Sequence, residues 1–155
     1  MLLPKGSTGS DTRLYFAYGS NMGNAQMSQR CPGHSNLGQA ILTGYRWIIA
    51  PDGYANVVPS PGDMVAGVLY RINRDDEKVL DHFEGVHAGD YEKRMLVVSK
   101  SRQTVEALVY INSQTGTGRP SAEYTNRLHQ AFADAPPGQH YIDRYITPFL
   151  EQGLA

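Results

Sequence analysis

The sequence predicts an α+β fold, and three observations carry that expectation. Strand-like apolar runs occupy the N-terminal part and the whole middle of the chain, helical patterns are few, and the two are not interleaved strand by strand as a doubly wound parallel sheet requires. At 155 residues the chain has the size of one domain and can bury a substantial core. Residues 1–12, which include the small polar run Gly6-Ser7-Thr8-Gly9-Ser10-Asp11, are expected to form a mobile tail. Residues 13–155 then form the single folded domain.

Leu14-Tyr15-Phe16-Ala17-Tyr18 is a short continuous apolar run and reads as a buried strand that Gly19 ends. Ser20 and Asn21 are N-cap residue types, Asn24 to Arg30 follows as a short helix, and Cys31-Pro32-Gly33 breaks it. A strand, a glycine turn and a helix start aim several backbone N–H groups into one concavity, which suits a carboxylate or a phosphate. Ala40 to Ala50 reads as a long or bent strand with Gly44 as a candidate bulge. Pro51-Asp52-Gly53 turns it back into Ala55-Asn56-Val57-Val58. Met64 to Ile72 is expected as a separate strand. Tyr91 to Val98 and Val105 to Ile111, joined around Ser101-Arg102-Gln103, read as a hairpin. Ser121 caps a helix that reaches about Ala133, and Gln139 to Gln152 is a second helix, bent near Pro148.

Between these strands lies an amphipathic helix, Asn73 to Glu84, with Gly85 directly after it. At helical period Val79, Leu80 and Phe83 share an apolar arc, and Glu84, four residues after Leu80, falls at its edge and leans inward. Partial burial and the negative end of the helix both disfavour an ionised carboxyl there. A carboxyl tuned toward neutrality is what proton-transfer chemistry uses, so Glu84 is a candidate general base, while position alone favours a surface Glu in a frayed last turn.

Charge and composition exclude several classes. A net charge of −1 with scattered Lys and Arg forms no basic stripe, so neither a nucleic acid nor an anionic membrane surface is an expected partner. No run approaches the ~20 apolar residues of a membrane span, and Met1 to Lys5 lacks the apolar core of a leader, so a cytoplasmic location is expected. The lone Cys31 has no internal disulfide partner and reads as structural. Ser20 lacks the Gly-x-Ser-x-Gly setting of a nucleophile and reads as a loop donor. His82 and His87 share no helical face, and Asp75-Asp76-Glu77 is a first turn serving the helix dipole, so no metal is expected. Arg13, Arg94 and Arg144 could each reach a carboxylate-bearing ligand, and the sequence does not choose among them.

Tyr18-Gly19-Ser20-Asn21 and Leu80-Asp81-His82-Phe83-Glu84-Gly85-Val86 together resemble the γ-glutamylcyclotransferase (AIG2-like) family, whose members carry a Tyr-Gly-Ser-Asn loop and a Leu-Asp-x-x-Glu-Gly-Val stretch. Ser60-Pro61-Gly62-Asp63, Val65-Ala66-Gly67-Val68, Gly89-Asp90-Tyr91 and Pro120 to Tyr124 extend the resemblance over most of the chain. It implies a small, mostly closed mixed β-barrel with helices packed around it. It also implies conversion of a γ-glutamyl amide or γ-glutamyl amino acid to 5-oxoproline and a free amine or amino acid, without a cofactor. Glu84 would be base and then acid. Gly19, Ser20, Asn21 and Met22 would hold the glutamyl carboxylate and carbonyl through backbone N–H groups, with Tyr18 shaping the pocket and Tyr124 beside the substrate; Tyr91 is a second candidate for that place, and ordinary packing with a satisfied hydroxyl is the other reading of each tyrosine. Two alternatives stay open: a same-fold enzyme that removes γ-glutamyl from a larger amine or protected metabolite, and a non-catalytic binding module on the same barrel. The oligomeric state has no signature in the sequence.

Overall fold

The structure, a computed structural model, describes residues 11–150. Five strands close into a barrel in the order β1-β3-β2-β4-β5: β1 (Thr12–Ala17), β2 (Ser35–Ile49), β3 (Ala55–Asn73), β4 (Glu92–Lys100) and β5 (Gln103–Ile111). Neighbours are antiparallel except at the closing seam, where β1 runs parallel to β5 with Tyr15 opposite Leu108. The helices are α1 (Asn24–Arg30), α2 (Arg74–Phe83), α3 (Ala122–Asp134), α4 (Gln139–Tyr141) and α5 (Thr147–Leu150). The expected mixed barrel with surrounding helices is the observed fold.

The apolar run at β1 is buried on both faces because alternate residues enter two cores. Phe16 and Tyr18 join a cluster that includes Leu42, Leu69, Val98 and Val109 and so draws on all five strands. Tyr15 and Ala17 join a second cluster with Val68, Tyr70 and Leu108, packed under Met27 of α1 and Leu80 of α2. Trp47 is fully buried, donates from Nε1 to the Tyr18 carbonyl at 2.9 Å and meets Phe132 and Phe149 edge-on, tying the chain that leaves β1 to α3 and α5.

Several boundaries differ from the sequence reading. Thr12, assigned to the tail, pairs with Asn73 in β1, and the rest of that tail up to Ser10 lies outside the described residues. β3 is one strand of 19 residues rather than two. Its ladder with β2 jumps from Tyr45↔Pro59 to Thr43↔Met64, so Ser60 to Asp63 bulge opposite Gly44 without ending the strand. Gly44 and Gly62 take φ of +85° and +88° there, a region open to glycine. Asp63 in that bulge accepts from Arg144 and from the Tyr145 hydroxyl, 3.0 and 2.7 Å away, which ties it to the C-terminal helical segment. That segment widens into a π-turn, Ile142–Ile146, between α4 and α5. Pro148 has no N–H for the Arg144 carbonyl, so the disturbance falls one turn earlier than its own position. Residues 151 and 152 of the expected helix lie outside the described residues. Among those described, no helix is long and apolar enough to cross a membrane.

Gly67 marks the tightest crossing in the barrel. A Cβ there would sit 2.4 Å from the Ala17 carbonyl oxygen and 2.7 Å from Phe16 Cζ. A backbone carbonyl cannot swing aside as a side chain can, so Gly67→Ala should lower the urea midpoint by an amount worth about 1–3 kcal/mol, the usual cost of overpacking. An unchanged midpoint would show that β1 has room to move.

Candidate active site

At one end of the barrel a cavity of about 530 Å³ opens between β1, β3, α2 and α3, a size typical of small-molecule sites. Six of the ten tyrosines line it: Tyr15, Tyr18, Tyr54, Tyr91, Tyr110 and Tyr124. Around them stand Gly19, Ser20, Asn21, Glu84, Arg30, Arg127, Asp52, Asp90 and Phe83.

Glu84 owes its position to the way α2 is capped at both ends. Asn73 Oδ1 accepts from the Asp76 N–H at 2.8 Å while Asp76 reaches back to the Asn73 N–H, a capping box that buries Asp76. At the other end the Gly85 N–H bonds to the His82 carbonyl at 3.1 Å and the Val86 N–H to the Asp81 carbonyl at 3.0 Å. This is a Schellman motif with Gly85 in the left-handed region at φ +65° and Glu84 as the capping residue. Leu80 is fully buried and Glu84 is half-buried, as the arc predicted, but Phe83 is 54% exposed. It leaves the arc because its ring lies under the Arg30 guanidinium, 4.0 Å from the ring centroid, where it forms part of the cavity wall.

Burial pushes the Glu84 carboxyl up to about 7. The Arg30 charge opposes this and the Asp52 charge adds to it. The buried tyrosines move the same way: burial raises Tyr15, Tyr18, Tyr91 and Tyr110 well above the usual phenol range and Tyr124 to about 12. They therefore stay protonated hydrogen-bonding groups at neutral pH, while Glu84 changes charge there.

The loop after β1 is a short 3₁₀ turn, Ser20–Met22, whose first amides have no partner within the turn. Its side chains are held by the protein itself. Asn21 donates to the Tyr15 hydroxyl at 2.9 Å, and its Oδ1 accepts from Gln26 at 2.7 Å and Arg30 at 3.1 Å. Gln26 also reaches Ser20 Oγ at 2.6 Å. The Tyr70 hydroxyl donates to the Asn21 carbonyl at 3.0 Å. Gly19, Ser20 and Asn21 all line the cavity, with the Asn21 side chain already held by Tyr15, Gln26 and Arg30. Gly19 is packed tightly: a Cβ would lie 3.1 Å from both Ala55 Cβ and the Tyr124 hydroxyl. Ala55 clamps two tyrosines, its N–H donating to Tyr124 Oη at 3.2 Å and its carbonyl accepting from Tyr91 Oη at 2.7 Å. The Tyr18 hydroxyl donates to the Tyr110 carbonyl at 2.6 Å.

Of the residues singled out in the sequence, Glu84, Tyr18, Gly19, Ser20, Asn21, Tyr91 and Tyr124 come together on the cavity, and Met22 does not. Met22 is buried in the second core, and its N–H closes the turn onto the Gly19 carbonyl at 3.0 Å. The three candidate arginines are elsewhere: Arg13 pairs with Glu77, Arg94 with Glu92 and Arg144 with Asp63. The arginines that line the cavity are Arg30 and Arg127. Arg127 had a signal in the sequence, three residues after Tyr124 and so on the same face of α3. Arg30 had a weaker one, as the last-turn residue of the helix that follows the loop. Cys31 is buried, its thiol pushed up to about 12 by that burial, and it takes no part in the cavity. Among the described residues no group of three or more His, Cys, Asp or Glu is placed to hold a metal ion.

The closed barrel carries a polar, tyrosine-rich cavity around one half-buried carboxyl, the setting of a candidate active site. The chain belongs to the family described as "Gamma-glutamyl cyclotransferase, AIG2-like", whose model matches residues 15–129. A Gamma-glutamylcyclotransferase of Mus musculus is 30% identical over 128 residues, 74% of this chain and 66% of the relative, so this chain spans about two thirds of that protein's length. One of Bos taurus is 31% identical over an alignment of 160 residues, 96% of this chain and 76% of the relative. A solved structure named Gamma-glutamyl cyclotransferase superposes with a TM-score of 0.79 at 23% identity, covering 86% of each chain, which supports the fold.

The raised carboxyl has a consequence for stability. An acid whose folded value lies above its unfolded one costs the fold nothing below the unfolded value, near 4.5, and the full penalty above the folded value, near 7. Glu84→Gln should therefore stabilise the protein at pH 8, by on the order of 2–3 kcal/mol, with the gain shrinking to nothing as the pH falls to 4.5. Thermal unfolding of both proteins across that range checks it. A gain independent of pH would mean that desolvation of the charge is not its source.

Proposed function

We propose that this protein cyclises the γ-glutamyl group of a γ-glutamyl amide or γ-glutamyl amino acid, releasing 5-oxoproline and the amine or amino acid. The observation that carries the proposal is the Glu84 carboxyl, held near neutrality on the same cavity as the amides of the Gly19-Ser20-Asn21 loop. An unperturbed Glu would be a weak base, and an isolated anion loop would have no base beside it.

In this reading ionised Glu84 takes a proton from the substrate α-ammonium and frees its lone pair. The nitrogen attacks the γ-carbonyl, the ring C–N bond forms, and charge gathers on the carbonyl oxygen, where loop amides stabilise it. Protonated Glu84 then gives its proton to the departing nitrogen as the γ-amide C–N bond breaks. The regenerated carboxylate removes the surplus proton from the ring nitrogen and passes it to the released amine or to solvent. The step is an acyl transfer to an internal amine, so acyltransferase and lyase both describe it. Tyr124 and Tyr91, fixed by Ala55, would border the γ-glutamyl chain, and Tyr18 supports the wall behind it. The free thiol of Cys31 suits a reducing compartment such as the cytoplasm.

A second reading concerns the leaving group. Tyr54 and Phe83 line the cavity yet are 47% and 54% exposed, so its rim is open on their side. That favours tolerance of a leaving amine larger than a single amino acid.

The test is release of 5-oxoproline from a panel of γ-glutamyl amino acids and γ-glutamyl amines. Glu84→Gln is expected to keep the fold and to lower turnover by roughly 10²–10⁴-fold, the usual worth of a positioned base. Near-native release by that variant would remove Glu84 from the chemistry.

A further inference from the structure

The two arginines of the cavity differ in what they already hold. Arg127 is paired with Glu123, its Nη2 donating to one carboxylate oxygen at 3.1 Å and its buried Nε 2.8 Å from the other but not aligned to donate, and its Nη1 donates to Gln26 at 3.3 Å. Arg30 makes no ion pair with any described residue. Its Nη1 donates to Asn21 Oδ1 at 3.1 Å, and its guanidinium lies over the ring of Phe83, the residue just before Glu84. The Glu84 charge acts on this half-buried guanidinium only from beyond ion-pair contact, so its planar fork, which matches a carboxylate, is not filled by one among the described residues.

We propose that Arg30 receives the α-carboxylate of the substrate's γ-glutamyl group, an inference that rests on the cyclotransferase reading above. The α-carboxylate and the α-amine are attached to one carbon. The residue that holds the first and the residue that deprotonates the second must therefore be neighbours, and the Phe83 stack makes Arg30 and Glu84 so. The bond to Asn21 keeps the same guanidinium beside the loop that faces the γ-carbonyl, so a carboxylate on Arg30 can share the loop amides while the carbonyl lies further along them. Arg127, already paired, supports the loop through Gln26.

The proposal separates two substrates that are otherwise matched. A 4-aminobutanoyl amide has the same chain, amine, carbonyl and leaving group as a γ-glutamyl amide and closes to 2-pyrrolidinone, but it lacks the α-carboxylate. With γ-glutamyl-alanine and 4-aminobutanoyl-alanine, the native protein should favour the first by ~10²-fold or more in kcat/KM, since a buried polar group left without its partner is strongly discriminated against. Arg30→Met, which keeps an unbranched apolar stem against Phe83, should bring that ratio to within several-fold of one. Arg30→Lys, which keeps the charge without the fork, should fall between. Calorimetric binding of 5-oxoproline and 2-pyrrolidinone gives a second readout without turnover: the native protein should prefer the ring that bears the carboxylate, and Arg30→Met should not. Thermal unfolding confirms that the variants compared are folded, and the lysine variant carries the comparison if the methionine variant is not. If the variants lower both substrates equally and leave the binding preference intact, Arg30 is a structural residue and the proposal is overturned. If the native protein releases product from no γ-glutamyl compound, the cyclotransferase reading fails. The binding arm still decides the role of Arg30, since an unchanged ring preference refutes carboxylate recognition and a lost preference supports it.

Discussion

The Schellman end of α2 fixes the direction of Glu84, and the cavity is organised around that direction. Gly85 has to occupy the left-handed region so that its own N–H and that of Val86 can return to the last turn of the helix. An L side chain there is strained by roughly 1–2 kcal/mol, and in this protein it also meets Asp90, whose Oδ2 lies 2.3 Å from where a Cβ would stand. The capping box at Asn73 sets the other end, so the rotation of the helix about its axis is settled by both termini. Lys93 of β4 bonds to Glu77 and Asp81, and the Tyr110 hydroxyl donates to Asp81 at 2.7 Å, fastening the outer face of the helix to the barrel. With those constraints met, Leu80 is driven into the core and Glu84 is carried to the cavity edge.

The cavity concentrates groups that a fold selected for stability alone would avoid. A carboxyl is kept partly out of water without a hydrogen-bonding partner among the described residues, and the Arg30 guanidinium, which lies over the Phe83 ring and bonds to Asn21, has no carboxylate in ion-pair contact among them. Six tyrosines surround them, two of which, Tyr18 and Tyr91, spend their hydroxyls on backbone carbonyls. No tyrosine hydroxyl among the described residues is hydrogen-bonded to either charge. Perturbed charges gathered on one cavity in this way mark a candidate functional site.

Much of this was legible in the sequence because the signals are local. The β1 run, the glycine turn after it, the Asn73 cap, the arc through Leu80 and the glycine after Glu84 all act over a few residues, and each predicted its element. The barrel closure came from family resemblance, since no local pattern specifies that β1 pairs in parallel with β5. What the sequence left illegible is where individual side chains go once the chain has folded. Met22 followed the loop residues in sequence, yet the 3₁₀ turn rotates it into the second core. Phe83 had the period of a core residue and became a cavity wall because Arg30, from a helix more than fifty residues earlier, lies over its ring. The arginines at 13, 94 and 144 are as basic as Arg30, and only the tertiary pairing to Glu77, Glu92 and Asp63 shows that they are committed elsewhere.

The claim that links fold to chemistry is that burial at the end of α2 holds Glu84 near neutrality as a working base, and the pH dependence of kcat/KM tests it most directly. With substrates whose amines differ in pKa, the acid limb should stay fixed near pH 7 while the alkaline limb moves with the substrate. An acid limb near the ~4.3 of a free glutamate would show that neither burial nor the neighbouring charges act on Glu84 as described, and would contradict the account even if the residue proved essential.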